Sequence, residues 1–191
     1  MTEVTVWFDC VCPFAWATSR WVEMLGDSVQ VQWKPMSLYV LNESRRAELP
    51  EDYGEALDAS YPVAKVFGEV AHRWPQRVGE LYTAVGSRIH REAMEPGEAL
   101  AAGLAELGLP TDLGGDDDFL RASHAEALEL VGDDVGTPVV AVGSVGFFGP
   151  VITRVPGSVE EARSLFDAVV TLAQYPHFFE LKRTRTEDPR A

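Results

Sequence analysis

Residues 8–16 read Phe8-Asp9-Cys10-Val11-Cys12-Pro13-Phe14-Ala15-Trp16, and the spacing of apolar residues changes across this stretch. In residues 4–8, apolar side chains occupy every second position, which predicts a β-strand. In residues 16–25, apolar side chains recur at helical spacing, which predicts an amphipathic helix. We therefore expect the chain to turn from strand into helix at Cys12-Pro13.

Cys12 occupies the position expected for the N-cap of this helix. Proline is favoured in the first turn of a helix, because its missing N–H would have no partner there, and Pro13 follows Cys12 directly. A sulfur at the N-cap faces free backbone N–H groups and the positive end of the helix dipole, and both favour the thiolate. Since the thiolate is the nucleophilic form, we expect Cys12 to be reactive and its pKa to be lowered.

The second cysteine of a Cys-x-x-Cys redox motif is absent, because Ala15 stands at that position. The only other cysteine is Cys10, which an extended strand would place on the same face as Cys12, with Cα atoms about 6.6–7.2 Å apart. That separation is at the upper edge of disulfide geometry, so a Cys10–Cys12 bond would need a local bend. We interpret Cys10 as a small buried residue, with a role as resolving cysteine as the alternative.

Composition narrows the class of protein. The chain has 191 residues, of which 46% are hydrophobic, as expected for one folded domain or one domain with a large insertion. Its net charge of −14 argues against a nucleic-acid partner. No long apolar stretch and no signal peptide are visible, so we expect no membrane contact. Two cysteines without an export signal indicate a reducing compartment, which predicts a cytoplasmic protein.

Further along the chain, strand and helix patterns alternate in blocks. A second strand is predicted over residues 29–33, ending near Pro35. Residues 42–131 are helical by pattern, with breaks expected at Pro62, Trp74-Pro75, Glu95-Pro96-Gly97 and Gly108-Leu109-Pro110. Strand patterns return after Thr137-Pro138 as a hairpin that ends at Phe147-Phe148. A last helix follows, with Ser158 and Glu161 as a predicted capping box.

This organisation resembles the DsbA-like branch of the thioredoxin fold, and specific runs resemble the actinobacterial mycothiol-dependent nitroreductase family. The runs that carry the resemblance are Phe8-Asp9, Cys12-Pro13, Trp16, Thr18-Ser19-Arg20-Trp21, Met36-Ser37-Leu38, Leu41-Asn42-Glu43, Leu81-Tyr82-Thr83-Ala84, Arg88-Ile89-His90, Asp134-Val135-Gly136-Thr137-Pro138, Phe147-Phe148-Gly149-Pro150-Val151 and the tail over residues 175–187. The resemblance implies an α/β thioredoxin fold of the DsbA type, with residues 1–41 and 132–191 as the thioredoxin-like domain. Residues 42–131 would form a large all-helical insertion domain.

The chain departs from the family at the nucleophile. The family pattern is Cys-Pro-Trp-Cys, whereas this chain has Cys12-Pro13-Phe14-Ala15. A lone cysteine can still exchange with a small disulfide if an external thiol resolves the mixed disulfide, and the resemblance implies that this thiol is mycothiol. We therefore predict a thiol oxidoreductase that uses Cys12 and mycothiol as co-substrate to reduce a disulfide or a small electrophilic aromatic substrate.

Two other functions fit the same residues. One is a thiol S-transferase or isomerase, similar to the kappa-class glutathione transferases, that activates a low-molecular-weight thiol without a lasting adduct. The other is a redox-inactive scaffold that binds a hydrophobic ligand. In each case the expected partners are a small thiol or a small hydrophobic or aromatic molecule, and a homodimer is compatible with the sequence. No metal-ligand spacing, dinucleotide fingerprint or P-loop is visible, so we expect no metal and no tightly bound cofactor.

The resemblance also implies which residues surround the nucleophile. Pro13, Phe14 and Ala15 would support it from the first turn of the helix, and Thr137-Pro138 would face it with a cis peptide bond. Three further side chains would line the cleft, and these are Asn42, Tyr53 and His90.

Two kinds of ring are expected near the cysteine. A histidine there could stabilise the thiolate or move a proton, and His90 is the candidate. Trp16 and Trp21 lie on the helix that begins at Cys12. Of the two, we expect Trp21 to stack on a flat substrate such as a nitroaromatic or a quinone.

Overall fold

A four-stranded sheet holds the first and last parts of the chain together. The computed structural model describes residues 1–190. The strands lie in the order β2-β1-β3-β4 and comprise β1 (Thr2–Phe8), β2 (Val29–Pro35), β3 (Val139–Val142) and β4 (Val145–Phe148). β1 pairs in parallel with β2 and antiparallel with β3, and β4 pairs antiparallel with β3. The predicted strands and the late hairpin are confirmed.

Seven α-helices follow one another in the predicted order within the described residues. They are α1 (Pro13–Glu23), α2 (Leu38–Asn42), α3 (Glu51–Arg73), α4 (Val78–Glu92), α5 (Pro96–Glu106), α6 (Asp117–Val131) and α7 (Val159–Ala173). α1 connects the two parallel strands, α2 to α6 lie between β2 and β3, and α7 follows the hairpin. The α/β prediction is confirmed, and the bounds of a separate insertion domain stay a prediction.

The expected helix break at Pro62 is wrong, because α3 continues through this residue. A proline inside a helix removes one hydrogen bond and costs about 3 kcal/mol. Each fully buried large apolar side chain contributes roughly 1.5–3 kcal/mol, and α3 buries Leu57, Val63, Phe67 and Val70. Packing of this face therefore outweighs the local preference of Pro62 to end the helix. The breaks expected elsewhere in the helical block are present.

The predicted capping box of α7 is present in part. The N-cap hydrogen bond forms, but the Glu161 side chain binds Gly157 and not the Ser158 N–H. The Glu161 N–H donates to the Ser158 hydroxyl oxygen at 3.2 Å, as expected for an N-cap serine. The Glu161 carboxylate, however, accepts from the Gly157 N–H at 2.7 Å. The Glu161 side chain therefore fixes Gly157, the residue before the N-cap, to the first turn of α7.

The helical block shares an apolar core with the end of β1. The Phe8 ring stacks on Tyr82 of α4 with ring centres 3.7 Å apart, and it meets Phe67 of α3 edge-on at 5.4 Å. Cys10 and Cys12 belong to the same buried cluster. The turn that carries both cysteines is therefore walled by the helical block, so the helices position the candidate site.

Candidate active site

Cys12 lies at the N-terminus of α1, as predicted. The Cys12 N–H donates to the Asp9 carbonyl oxygen at 3.0 Å, which closes a turn directly after β1. Cys12 is the N-cap, with its Sγ accepting from the Ala15 N–H at 3.5 Å, and Pro13 is the first helical residue. Its thiol also donates to the Thr137 carbonyl oxygen at 3.3 Å, across 125 residues of sequence.

The expectation that Cys12 has a lowered pKa is wrong for this closed site. Only 5% of Cys12 is exposed, and burial raises the pKa of its thiol. The hydrogen bond from the Ala15 N–H lowers the pKa, while the charge of Asp9 raises it further. The predicted helix N-terminus is present, but the loss of hydration raises the pKa of Cys12 by more than the helix N-terminus lowers it.

Cys10 lies in the turn and not in an extended strand, because β1 ends at Phe8. Its side chain is 2% exposed, as expected for a small buried residue, and both cysteines are free. Burial raises the pKa of Cys10 well above its ordinary value, and the charge of Asp9 raises it further. The chain therefore turns between Cys10 and Cys12, and a role of Cys10 as resolving cysteine stays a prediction.

Asp9 is a site residue that the sequence interpretation missed. Its carboxylate is 1% exposed and accepts from the Val11 N–H at 3.1 Å and from the Leu38 N–H at 2.7 Å. Burial raises the pKa of Asp9 to about 6, although the two amides lower it. Asp9 therefore fixes the cysteine turn to the start of α2. An acidic residue at the end of an apolar strand, three residues before Cys12, was the available signal.

Thr137-Pro138 faces Cys12, and its peptide bond is cis, as predicted. Thr137 is buried, and its hydroxyl has no hydrogen-bond partner among the described residues. A second cis bond, Gly149-Pro150, was not predicted. The Thr18 hydroxyl of α1 donates to the Pro150 carbonyl at 2.8 Å, so both loops contact the nucleophile helix.

His90 and Trp16 meet at the cysteine turn. The His90 Nε2–H donates to the carbonyl oxygen of Cys10 at 2.9 Å, since a carbonyl can only accept. Its ring stacks on Trp16 with centres 5.5 Å apart, and burial lowers the pKa of His90. Trp16 is 1% exposed, and its indole N–H has no partner in residues 1–190. The structure thus brings both residues to the turn, with His90 contacting its backbone.

Asn42 is the last residue of α2, and Tyr53 lies in the first turn of α3. The buried Asn42 amide donates to the Leu38 carbonyl at 2.7 Å and accepts from Arg45 Nε at 2.9 Å. Tyr53 is 42% exposed, and its pKa is raised by burial and then by the nearby groups of Cys12 and Asp9. Tyr53 is therefore a partly exposed aromatic side chain, and its place beside Cys12 stays a prediction.

Phe14 and the C-terminal tail form an open pocket beside the first turn of α1. The pocket has a volume of about 500 Å³ and is lined by Phe14 and residues 185–188. The Arg185 guanidinium lies over the Phe14 ring at 4.8 Å. The tail is held there by the Glu187 carboxylate, which accepts from the Thr153 hydroxyl at 2.6 Å. Of the residues predicted to support Cys12, Phe14 is therefore the one that lines this open pocket.

The expectation that Trp21 lines the cleft is wrong. Trp21 is fully buried, packs against Phe166 of α7, and donates from its indole N–H to the Ala162 carbonyl at 2.9 Å. At roughly 100° per residue, Trp21 lies half a turn away from Cys12 around α1, whereas Trp16 shares the face of Cys12. The helical phase of the two tryptophans was readable from the sequence and favoured Trp16.

Solved structures of other proteins share the overall fold of this chain. A probable DsbA oxidoreductase from Streptomyces coelicolor superimposes with a TM-score of 0.57 at 17% identity, covering 100% of this chain and 96% of the other. A structure of 2-hydroxychromene-2-carboxylate isomerase superimposes with a TM-score of 0.58 at 15% identity, covering 90% and 96%. These likenesses show the fold, which is a thioredoxin fold of the DsbA type. Within residues 1–190, no helix is long and apolar enough to cross a membrane.

Sequence comparisons identify the family. The uncharacterized protein Rv2286c of Mycobacterium tuberculosis (strain ATCC 25618 / H37Rv) is 28% identical over 204 residues, which cover 97% of this chain and 84% of that protein. A family model described as Rv2466c-like, mycothiol-dependent nitroreductase Rv2466c, matches residues 11–183. This match includes Cys12 and extends into the C-terminal tail. The chain therefore belongs to the Rv2466c-like family of mycothiol-dependent nitroreductases.

Proposed function

We propose that this protein is a cytoplasmic monothiol oxidoreductase that uses Cys12 and mycothiol to reduce a small disulfide or an electrophilic aromatic compound. The observation that carries the proposal is the placement of the Cys12 sulfur between the Ala15 N–H and the Thr137 carbonyl. Ala15 replaces the family's second cysteine, so a mixed disulfide on Cys12 has no resolving thiol within the motif. An external thiol then has to complete the reaction.

With a disulfide substrate, the proposed reaction has two exchange steps. Cys12 loses its proton to solvent, and the thiolate attacks one sulfur of the substrate, forming a new S–S bond as the substrate's own S–S bond breaks. The leaving thiolate takes up a proton. The thiolate of mycothiol then attacks the mixed disulfide, which releases Cys12 as a thiolate and forms a disulfide between mycothiol and the substrate fragment. The substrate disulfide supplies the oxidant, and mycothiol supplies the reducing equivalents.

The surrounding groups would act mainly on the charge of the sulfur. The Ala15 N–H, 3.5 Å from the Cys12 sulfur, stabilises a thiolate there and so lowers the pKa of Cys12. The Thr137 carbonyl accepts from the protonated thiol and so favours the unreacted state. Because Cys12 is 5% exposed, a substrate sulfur reaches it only when neighbouring side chains move.

A second candidate function is favoured by the raised pKa of Cys12. A cysteine that stays protonated can donate a hydrogen bond to the thiolate of a bound mycothiol, and so lower that thiol's pKa. The protein would then be a transferase or isomerase in which Cys12 forms no covalent adduct.

Intact mass after incubation of the reduced protein with mycothiol disulfide tests these functions, with Cys12→Ser and Cys10→Ser variants alongside. The monothiol mechanism predicts an adduct of one mycothiol that is lost only in Cys12→Ser. If the parent instead loses two hydrogens and the adduct accumulates only in Cys10→Ser, Cys10 is the resolving cysteine. Absence of adduct and of oxidation contradicts the oxidoreductase, and turnover of mycothiol with an aromatic electrophile then separates the transferase from a non-catalytic scaffold.

A further inference from the structure

Most side chains around Cys12 are as deeply buried as the cysteine itself. The buried neighbours, each at most 3% exposed, are Asp9, Cys10, Ala15, Trp16 and Thr137. Exposure returns at Pro13, while Val11 and Phe14 are partly exposed. A molecule from solvent therefore approaches the Cys12 sulfur along the turn that precedes α1 and over the first turn of the helix.

The C-terminal tail covers Phe14 on this approach. The guanidinium carbon of Arg185 lies 4.8 Å from the centre of the Phe14 ring. Phe14 follows Cys12 by two residues, so the radius and rise of a helix place their Cα atoms about 5–6 Å apart. Phe14 also packs against the buried cluster that contains Cys12. The tail thus lies over a direct neighbour of the nucleophile.

Residues 179–186 form a strap that is held at its ends. Before the strap, the Phe178 ring meets Phe147 of β4 edge-on, with ring centres 5.7 Å apart. The strap itself is exposed, and its residues form no backbone hydrogen bond with the rest of the described chain. Its contact with α1 is the one between Arg185 and Phe14. The position of the strap therefore depends on the anchors that precede and follow it.

The anchor after the strap is Glu187. Its carboxylate accepts from the Thr153 hydroxyl at 2.6 Å and from Arg154 Nε at 3.1 Å. The loop that carries these two residues begins at Pro150, whose carbonyl accepts from Thr18 of α1 at 2.8 Å. The anchor is therefore fixed beside the helix that begins at Cys12. Because the Arg154 side chain is 65% exposed and that of Glu187 is 33% exposed, their ion pair is weak and sensitive to salt.

We propose that the strap is a gate that admits small molecules to Cys12 and excludes the disulfides of folded proteins. The inference rests on the proposed function for the reaction itself and adds the residues that limit the size of the substrate. Release of Glu187 from Thr153 and Arg154 frees one end of the strap, which uncovers Phe14 and opens the approach to large molecules.

The dimensions of the site decide which molecules pass. The docked strap leaves an open pocket of about 500 Å³ beside Phe14. Pockets of roughly 300–1,000 Å³ hold small-molecule ligands. Two redox proteins in a transient complex bury on the order of 1,000 Å² of surface in total, which requires contact well beyond such a pocket. A small molecule can therefore enter beside Phe14, whereas a protein surface meets the strap first.

Two maleimides of different size test the gate. N-ethylmaleimide is small, and the second reagent carries the same maleimide on a polyethylene glycol chain; both are uncharged. In each reaction the Cys12 thiolate adds to the maleimide double bond, a C–S bond forms, and the neighbouring carbon takes up a proton from solvent. The protein is the Cys10→Ser variant, so that Cys12 alone reacts. The measured quantity is the rate constant for the polymer reagent divided by that for N-ethylmaleimide.

We expect Glu187→Gln to raise this ratio at least about threefold, since the variant loses the ion pair that anchors the strap. Arg154→Gln should raise it in the same way, and the double variant should add little to Glu187→Gln, because both substitutions break one contact. Salt should raise the ratio of the Cys10→Ser parent and leave that of Glu187→Gln unchanged. Glu180→Gln is the matched control, because it removes an exposed carboxylate from the strap itself and leaves the anchor intact. It should keep the parent's ratio.

Ratios that stay unchanged in Glu187→Gln and Arg154→Gln would overturn the gate. Equal acceleration of both reagents would also overturn it, because the strap would then control access to Cys12 without regard to size. If N-ethylmaleimide does not alkylate Cys12, the proposed function fails, and NMR of Cys12→Ser protein still tests the gate.

The NMR measurement uses the contact between Arg185 and Phe14. While the strap is docked, the ring current of Phe14 shifts the side-chain signals of Arg185 upfield. We expect this shift to be lost in Glu187→Gln and kept in Glu180→Gln, whether or not Cys12 is reactive. A parent that lacks the shift, or a Glu187→Gln variant that keeps it, contradicts the gate.

Discussion

Asp9 and His124 accept hydrogen bonds from successive backbone amides at the start of α2. The Asp9 carboxylate accepts from the Leu38 N–H at 2.7 Å, and His124 Nδ1 accepts from the Ser37 N–H at 3.4 Å. Both side chains are buried. Burial raises the pKa of Asp9 to about 6, and burial together with the nearby Arg121 lowers the pKa of His124 to about 4. The two groups that hold this junction therefore titrate abnormally in opposite directions.

The opposite shifts predict opposite dependences of stability on pH. The Asp9 pKa is raised above its ordinary 3.8, so its contribution is present below that value and is lost as the pH rises through about 6. The His124 pKa is lowered from its ordinary 6.5, so its contribution is present above that value and is lost as the pH falls through about 4. Between pH 4 and 6 the two effects oppose each other in the parent protein.

Substitution of either residue should reveal the pH dependence of stability that the other one causes. We expect Asp9→Asn to become more stable relative to the parent as the pH rises from 4 to 6, and His124→Asn to become less stable over the same range. Each relative change should amount to about 2 kcal/mol between pH 4 and 6, from the direction and size of the two pKa shifts. Urea unfolding of the parent and both variants at intervals across this range measures it. Curves that stay parallel to the parent's would contradict the assignment.

Close contact between α4 and Trp16 predicts that Gly86→Ala is destabilising. A Cβ at Gly86 would lie 2.5 Å from two carbon atoms of the Trp16 ring, which is buried and cannot move freely. Overpacking of this kind costs about 1–3 kcal/mol. Gly97→Ala on α5 is the control, since its Cβ would meet nothing within 4 Å and alanine favours a helix. Urea unfolding should show lower stability for the first variant and unchanged or higher stability for the second.

Local sequence patterns were sufficient for the strands, for the order of the helices and for the N-cap at Cys12, although not for the continuity of α3 at Pro62. The alternation before Phe8, the Cys12-Pro13 pair and the turn residues of the hairpin each act over a few positions, so their structural effect is readable from neighbours. The cis bond at Thr137-Pro138 was expected from the family resemblance alone. What local patterns miss is burial by distant parts of the chain.

The errors at the site have this physical origin. The pKa of Cys12 depends on its enclosure, to which Thr137 contributes from 125 residues away, and the dipole argument alone gave the wrong sign. Asp9 was missed because its second amide partner, Leu38, lies across a helix and a strand. Trp21 is a different error, because its position on the far face of α1 follows from helical phase and needed no structure.

Restoring the missing cysteine tests whether the motif itself retains redox geometry. Ala15 lies on the first turn of α1, and its N–H contacts the Cys12 sulfur at 3.5 Å. We expect Ala15→Cys to form a disulfide with Cys12 under mild oxidation, and a mixed disulfide with mycothiol to accumulate less than in the parent. In the control Ala15→Ser, the serine is nearly the size of the introduced cysteine but cannot form a disulfide, so the mixed disulfide should still accumulate. Intact mass before and after reduction measures both. Persistent free thiols in Ala15→Cys would show that the turn no longer supports the bond.

The reactivity of Cys12 should depend on the ionisation of Asp9. Burial raises the pKa of Cys12 above its ordinary 9.0, and the negative charge of Asp9 is among the causes that raise it. In Cys10→Ser protein, the rate of alkylation by iodoacetamide should therefore keep rising through alkaline pH and not level off near neutrality. Asp9→Asn removes the charge but keeps an oxygen for the amides, so it should move the rate profile to lower pH. Asp27→Asn, at an exposed position outside the site, should leave the profile unchanged. A profile that levels off near neutrality in the parent would mean that the helix N-terminus outweighs burial at Cys12.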